Sequence, residues 1–561
     1  MDPDDKIIWD NAYLEEYDGL TALPSWEVVS EEEYKTLSRG KRALPTIAIA
    51  TIKFDEHNRP KRAKYRIVVL GNLDYHNWSK SSTAAPVLSQ LELRLLTSLA
   101  VYHKRVLKNC DVKQAFVQST LPDDEVYFLK PPPGCPKSSS NQYWRLIRSL
   151  YGLKRAPRIW FETLCSHLRS LGLCNSTTSP CLFKGCIIPG QPPIYVGIYV
   201  DDIIYFSTCD QVERKFEELL GGLVSVEIMG QVSHFLGIEF TWKFHDDGNL
   251  TVLLTQQSFA ENLVESLGFT DISLSTYITP YRSGYPIDSV PSDSQSATQH
   301  DQLRLQYQSL VGSLNWLAHT TRPDLSTAVS LLAQHQSNPS IGHMDAAKYV
   351  VKYLAGTKNL GIFFTSAKRS LLKSFLHFPV DPTVLSLADA NWGPQDATKS
   401  MTVSDLPLFA SRSMSGFYID LLGPIHWSSK RQSVTAGSSA EAEICATDEC
   451  VKFLLELVQI LEFLDVKHIF MPGVNTIYND KQACVNWSQS CTTKGLRHIQ
   501  MKENRVRENI EKHFITVKHI EGKLNLADIF TKEIKDTNHF VTLRDRFMSA
   551  RNHFTTLSSR H

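Results

Sequence analysis

Ile194-Tyr-Val-Gly-Ile-Tyr-Val-Asp-Asp-Ile-Ile-Tyr-Phe206 is the stretch on which the fold turns. Two apolar runs, 194–200 and 203–206, are split by Asp201 and Asp202. They read as two strands of a hairpin with the acids at its tip. A turn takes Asp for backbone reasons alone. The chemical reading is that adjacent acids between apolar strands are costly unless something uses them. A third acid, Asp111, follows the strand-like segment 106–110 and precedes Ala115-Phe116. A strand-end carboxylate facing a hairpin-tip pair makes a three-acid metal site.

Two like charges about 4 Å apart repel by roughly 4 kcal/mol at an effective dielectric of about 20. Such a cluster is stable only with bound cations or raised pKa values. Hard oxygen ligands favour Mg²⁺, which keeps waters and binds substrate phosphates, with Mn²⁺ as the alternative. Two such ions clamp the attacking and leaving oxygens of an in-line phosphoryl transfer.

Working outward, the chain has 561 residues, enough for three or four domains at about 150 residues each. With 42% hydrophobic and 21% charged residues it is not a disordered, collagen-like or membrane-spanning chain. Lys+Arg and Asp+Glu both number 59, so any nucleic-acid surface must be a local patch. The 11 cysteines are an odd, scattered set without a C-x-x-C pair, which argues against a zinc finger or a secreted disulfide framework. The start, Met1-Asp-Pro-Asp-Asp, is acidic and is no signal peptide. The hairpin stretch is the most apolar in the chain, and its two acids exclude a membrane span.

Residues 1–40 are acidic, and 53–80 are basic through Lys53, Arg59, Lys61, Arg62, Lys64, Arg66 and Lys80. A strand is expected at 66–70, helices at 91–104 and 161–171, a loop at 137–141, and a polar linker at 280–301. Residues 302–356 read as two or three helices. Strands at 384–387 and 476–478 flank a long helix at 440–463, which suggests a separate α/β domain after about residue 380. No internal repeat is visible.

Four acids of that last region are set like a second two-metal site. Asp389 ends the strand 384–388, Glu443 lies near the start of the long helix, Asp480 ends the strand 476–479, and Asp528 opens Asp528-Ile-Phe-Thr-Lys532. Singly, each reads as a surface acid or a helix-start acid. Glu441 competes with Glu443 for the helix position. Residues two apart on a helix differ by about 200° in direction, so only one can face a metal pair well. Ser438-x-x-Glu441 has capping-box spacing, in which the glutamate turns back to the cap residue's N–H. The metal role therefore falls to Glu443.

Cys110-Asp-Val-Lys-Gln-Ala-Phe116, Ser149-Leu-Tyr-Gly-Leu-Lys-Arg-Ala-Pro157 and Tyr199-Val-Asp-Asp202 resemble the ordered motifs of copia-type retrotransposon reverse transcriptases. Lys64-x-Arg-Ile-Val-Val-Leu-Gly71, Ala85-Pro-Val87 with Arg94, Phe235-Leu-Gly-Ile238, Leu310-Val-Gly-Ser-Leu-Asn-Trp316 and Thr321-Arg-Pro-Asp324 follow in the expected order. Trp427-Ser-Ser-Lys-Arg-Gln432, Ser438-Ser-Ala-Glu-Ala-Glu443 and Ala527-Asp-Ile-Phe-Thr-Lys532 resemble the ribonuclease H domain that follows such polymerases. The resemblance covers 7–548.

It implies an α+β polymerase right hand of fingers, palm and thumb, followed by an α/β ribonuclease H-like domain. The implied divisions are an acidic N-terminal region at 1–40, fingers and palm at 41–245, thumb and connection at 246–375, ribonuclease H at 380–535, and a tail at 536–561. Asp111, Asp201 and Asp202 would be the polymerase carboxylates, and Asp389, Glu443, Asp480 and Asp528 the ribonuclease H set, both holding Mg²⁺. Lys64 and Arg66 would contact the triphosphate, Gly152 would lie beside the nucleotide, and Phe116 would gate against a 2′-hydroxyl. Without the family, Lys64 and Arg66 read as a solvated strand face and Phe116 as core. His519, nine positions before Asp528, is either a mobile ribonuclease H histidine or an ordinary strand residue.

The implied partners are an RNA template, a DNA primer, an RNA–DNA hybrid and dNTPs, in a cytoplasmic particle or the nucleus. The sequence departs from the family at Thr51, Arg155, Asn391 and Lys481, none of them a proposed metal ligand. No Asp-Ser/Thr-Gly protease motif and no integrase zinc module is found, so a fragment of an element, a processed product of a Pol polyprotein or a gene model cut from genomic DNA is expected. Two other readings compete: a catalytically inactive nucleic-acid-binding remnant, and a nuclease without polymerase activity.

Overall fold

The computed structural model describes residues 3–54, 60–135, 141–270, 277–281, 297–367, 384–392, 412–433, 435–489 and 500–552. These fall into two compact units, Met1–Ser89 with Leu107–Gln231, and Gln90–Val106 with Val232–His561. The expected loop at 137–141 and linker at 280–301 lie largely outside the described residues.

The first unit holds two sheets. The smaller has the order Trp26–Ser30, Gln142–Leu146, Phe128–Lys130, Leu44–Phe54, Pro60–Val69. Its core is aromatic: Trp26 stacks on Trp144 at 4.2 Å, with Tyr17 edge-on to Trp26. Tyr17 comes from the helix Pro3–Ala22. Residues 1–40 are thus no separate acidic region: Tyr13, Tyr17 and Leu20 of this helix belong to the same core as Ile67 and Val69. Aromatic burial outweighs the acidic composition there: Asp10, Glu15 and Asp18 stay exposed, and Glu16 alone of the described helix acids is buried.

The second sheet runs Val226–Gln231, Lys108–Val112, Asp202–Ser207, Ile194–Tyr199, Leu182–Gly185, Cys174–Asn175. Its hairpin strands are buried almost throughout, as expected of strands covered on both faces. The amphipathic helix Asp210–Leu223 packs on it through Val212, Phe216 and Leu220. Glu213 of that helix is buried too. It accepts from the Ser207 N–H at 2.9 Å and pairs with Lys108 at 2.9 Å.

The second unit begins with an insertion. Helix Gln90–Tyr102 comes from the middle of the first unit's sequence but buries its length here. Arg94 explains why. It is fully buried, lies 4.1 Å over the Trp427 ring, and donates to the carbonyls of Thr320 (2.8 Å), Ile425 (3.2 Å) and His319. Burial lowers its pKa to about 9. Another buried ion pair sits in Thr321-Arg-Pro-Asp324, where Arg322 grips Asp324 at 2.9 and 2.7 Å and Tyr353 donates to the same carboxylate at 2.7 Å. These quoted motif residues serve packing.

One sheet of this unit orders His234–Phe235, Ile238–Phe244, Leu250–Thr255, Leu360–Thr365, Met548–Ala550. The pairing of Ile238–Phe244 with Leu250–Thr255 runs across the expected division at 245 and moves it to 231. Residues 536–550 are not a tail: Phe540, Leu543, Phe547 and Met548 are buried, and Met548 pairs with Ile362. The other sheet orders Pro424–Arg431, Met414–Asp420, Leu385–Asn391, Asn475–Asn479, Ile515–His519, with the first three antiparallel and the last three parallel. The 25-residue helix Ser439–Phe463 lies across it. Among the described residues no helix is long and apolar enough to cross a membrane.

Candidate active site

In the first unit, antiparallel register sets Asp202 directly opposite Asp111. Directly opposed residues have Cβ atoms about 4.5–5.5 Å apart on one face. Asp201 sits in the two-residue turn after Val200, whose φ is +57°. A β-branched residue pays sterically in that region, so its neighbours must hold it. They do: the Trp160 indole donates to the Val200 carbonyl at 2.6 Å, and the Val112 N–H donates to the Asp201 carbonyl at 2.9 Å. The turn is fastened to the strand that carries Asp111.

The electrostatics follow. Burial, then Asp201 and Asp111, push the Asp202 carboxyl up to about 6. Burial and then Asp201 raise Asp111, and Lys53 and Lys64 oppose the rise. Lys64 and Arg66 lie on the strand Pro60–Val69. Burial and then Lys53 lower the Lys64 pKa. Arg66 lies 5.5 Å over the Tyr151 ring, and Phe116 meets the same ring edge-on at 5.0 Å. Gly152, at φ +93°, abuts Val69, and any Cβ would overlap the Val69 carbonyl. The Val69 N–H in turn donates to the Tyr151 carbonyl at 2.8 Å. The loop carrying Tyr151 and Gly152 is thereby stitched to the strand carrying Lys64 and Arg66.

In the second unit, parallel pairing brings the C-terminal ends of Leu385–Asn391 and Asn475–Asn479 to one edge. That edge carries Asp389 and Asp480. Glu443 reaches it from the long helix. Oxygens of Asp389, Glu443 and Asp480 all lie within 4.8 Å of one another. Among the described residues this is the one trio gathered so closely; Asp111, Asp201 and Asp202 are more open. The all-carboxylate donor set fits a hard divalent cation. Asp528 stands beside the trio, paired with Lys532 at 2.8 Å, and Lys532 lies 3.9 Å from Asp389. Asn479 donates to Glu443 at 2.9 Å, and Thr531 donates to Asp389. His519 is exposed, with its ring nitrogen 3.1 Å from the Asp480 carbonyl.

Glu441 and Glu443 separate as the helix geometry requires, with one difference. The Glu441 N–H donates to Ser438 Oγ at 3.2 Å, but the Glu441 carboxylate accepts from Gly437 at 2.6 Å, not from the cap residue Ser438. The box closes one residue early because Gly437 turns its N–H inward. Burial and then Asp389 push Glu443 up to about 9 and Asp528 up to about 8. A raised folded pKa means the folded state holds protons that the unfolded chain has released. Stability of the cation-free protein should therefore fall as pH rises from about 5 to 9, and Glu443→Gln should flatten that fall. Melting curves over this range in a chelator check it; a flat profile in the unmutated chain would show the cluster is not strained.

Sequence reasoning did not weigh Lys532 as a partner, although it stood four residues after Asp528 in a quoted motif. It also missed Asn479, Thr531 and Tyr151, whose signal is purely spatial. Of the departures from the family pattern, Arg155 is explained locally: it pairs with buried Glu125 and lies 4.9 Å over Trp78. Two other basic residues, Lys358 and Lys352, have neighbours of their own. Lys358 pairs with Glu261 at 3.2 Å and Lys352 lies over Phe269 and Tyr277.

Residues 25–282 match the family model described as reverse transcriptase (RNA-dependent DNA polymerase). The chain is 28% identical over 536 residues to the retrovirus-related Pol polyprotein from transposon RE1 of Arabidopsis thaliana, covering 94% of this chain and 33% of the relative. To that from transposon TNT 1-94 of Nicotiana tabacum it is 25% identical, covering 93% and 36%. The chain thus spans about a third of the length of these relatives. A foamy viral protease-reverse transcriptase solved with double-stranded DNA aligns with a TM-score of 0.44 at 12% identity, over 88% of this chain and 66% of that one.

Proposed function

We propose that this chain, a relative of the copia-type retrotransposon Pol polyproteins with a reverse transcriptase domain over residues 25–282, copies RNA into DNA and cleaves the RNA of the resulting hybrid. The observation that carries the reading is the register of Asp202 against Asp111, with Asp201 at a turn fastened to the same strand. Asp111, Asp201 and Asp202 would hold divalent ions, as would Asp389, Glu443 and Asp480 with Asp528. When bound, such ions supply charge to the attacking and leaving oxygens of a phosphoryl transfer. The chain's own residues do the rest. Lys64 and Arg66 bind and orient the triphosphate, the Tyr151–Gly152 loop supports them, and Phe116 excludes a 2′-hydroxyl. In the second unit, Asn479 and Thr531 orient Glu443 and Asp389, and Lys532 neutralises the surplus charge.

The five-stranded sheet with three antiparallel and two added parallel strands, crossed by the long helix, supports a ribonuclease H-like reading of residues 384–530. The 2′-hydroxyl and duplex shape let such a site tell RNA from DNA. Primer extension on an RNA template with Mg²⁺ or Mn²⁺, followed by hybrid cleavage, tests both halves. Absence of extension with cleavage intact would leave a nuclease alone; absence of both would leave a binding remnant.

Two further outcomes belong here. Phe116→Val should raise ribonucleotide incorporation, lowering the dNTP-over-rNTP ratio of kcat/KM by about 10- to 100-fold. An unchanged ratio in a folded protein returns Phe116 to the core. Duplex binding should weaken steeply with salt despite the chain's zero net charge, because neutralised phosphates release counterions. The described residues that would carry it are Lys53, Lys61, Arg62, Lys64, Arg66 and Lys80, with Lys348. A flat dependence between low and moderate ionic strength would sink that assignment.

A further inference from the structure

The place of Lys532 in the second carboxylate cluster is built by the backbone around it. Asp389 is paired directly with Gly416 across the antiparallel strands, so the two residues share one face of the sheet. Gly416 leaves that face open: a Cβ there would lie 2.7 Å from Thr531 Cγ2 and 2.8 Å from Phe530 Cβ. The turn after Asp528 fills the opening. The N–H groups of Thr531 and Lys532 both donate to the Asp528 carbonyl, at 3.2 and 3.3 Å, and the Thr327 hydroxyl anchors the Ile529 carbonyl at 2.7 Å. Thr531 is thereby set to donate to Asp389, and Lys532 is brought to both acids. Its ammonium lies 2.8 Å from an Asp528 oxygen and 3.9 Å from the same Asp389 oxygen that Thr531 meets.

The cluster therefore has two unlike sides. Asp389, Glu443 and Asp480 gather their oxygens within 4.8 Å of one another, and Glu443 takes the Asn479 amide at 2.9 Å. On the side of Asp389 and Asp528 an ammonium is already in place. A cation held by those two acids meets a like charge at close range, where the repulsion is strong because little water screens it. We propose that Lys532 is a resident counter-ion that a divalent cation must displace from the Asp389–Asp528 side, so that it sets the affinity of the cluster's second cation and leaves the first, on the trio, nearly untouched. This rests on the cluster being a divalent-cation site. In the cation-free protein the lysine offsets part of the repulsion among four carboxylates. With cations bound, the same ammonium is surplus charge. Cleavage that needs two cations then waits for the second, and Lys532 fixes the concentration at which it binds.

The test is Mn²⁺ binding to the full chain by calorimetry, without nucleic acid. Asp389→Asn removes the acid common to both sides and marks which part of the isotherm belongs to this cluster. Lys532→Met keeps the stem and removes the charge. It should tighten the weaker Mn²⁺ association of this cluster about tenfold, and the stronger by less than about threefold. Lys532→Arg keeps the charge and should stay within about twofold of the unmutated chain on both. Melting gives a second reading. In a chelator Lys532→Met should melt below the unmutated chain, and saturating Mn²⁺ should close the gap. The Mg²⁺ concentration that half-saturates hybrid cleavage should fall along with the Mn²⁺ constant.

If Lys532→Met binds Mn²⁺ no more tightly than the unmutated chain, or more weakly, the lysine supports Asp528 without competing for it and the proposal falls. A melting gap that Mn²⁺ leaves open would likewise overturn it. If Asp389→Asn leaves the isotherm unchanged, the cluster takes no cation. The nuclease half of the proposed function has then failed first and takes this inference with it.

Discussion

Asp201→Asn should abolish primer extension while RNA cleavage in a preformed hybrid continues nearly unchanged. The substitution keeps shape and leaves the backbone bond from Val112 to the residue-201 carbonyl in place. What it removes is a charge at a site where Asp111 and Asp202 are already raised by burial and by each other's neighbours. A positioned divalent ion supplies several kcal/mol of charge stabilisation, and each 1.4 kcal/mol is about tenfold in rate, so a loss of about 1,000-fold or more is expected. Asp480→Asn should do the reverse, because Asp480 belongs to the trio with Asp389 and Glu443 in the other compact unit. The measurement is extension and cleavage rates on matched substrates for both variants. Equal loss of both activities in either one would mean the clusters do not act separately.

The second large effect lies on one helix turn. Glu443→Gln should eliminate hybrid cleavage, and Glu441→Gln should cost little. Glu443 is buried against Asp389 and Asn479, with a carboxylate oxygen inside the trio. Glu441 turns away and spends its carboxylate on the Gly437 N–H. A glutamine at 441 can still accept that bond through its amide oxygen. At 443 a glutamine brings no charge to hold a cation. Cleavage assays with melting curves on both variants check this. An inactive Glu441→Gln beside a normal Glu443→Gln would mean the register of this helix is misassigned.

Local chemistry carried much of this into the sequence. The apolar runs on either side of Asp201-Asp202 are too hydrophobic for anything but buried strands. The strand–helix alternation after residue 380 is equally plain, and Ser438 marks the helix start at which Glu441 and Glu443 part company. Those features depend on residues a few positions apart, and the order of the seven acids could be read along one line. Distance in sequence hid the rest. That Asp111 faces Asp202 is a matter of register between strands about ninety positions apart. The acidic N-terminus read as a region of its own until Tyr13, Tyr17 and Leu20 entered an aromatic core. Helix Gln90–Tyr102 left the unit its neighbours build because Arg94 finds Trp427 and three carbonyls elsewhere. Lys532 and Arg155 gained their roles the same way, from partners that only the folded chain supplies. Periodicity and spacing report which face a residue occupies. What lies against that face is set by packing and long-range pairing, and for a buried charge the partner decides whether it stabilises the fold or serves the chemistry.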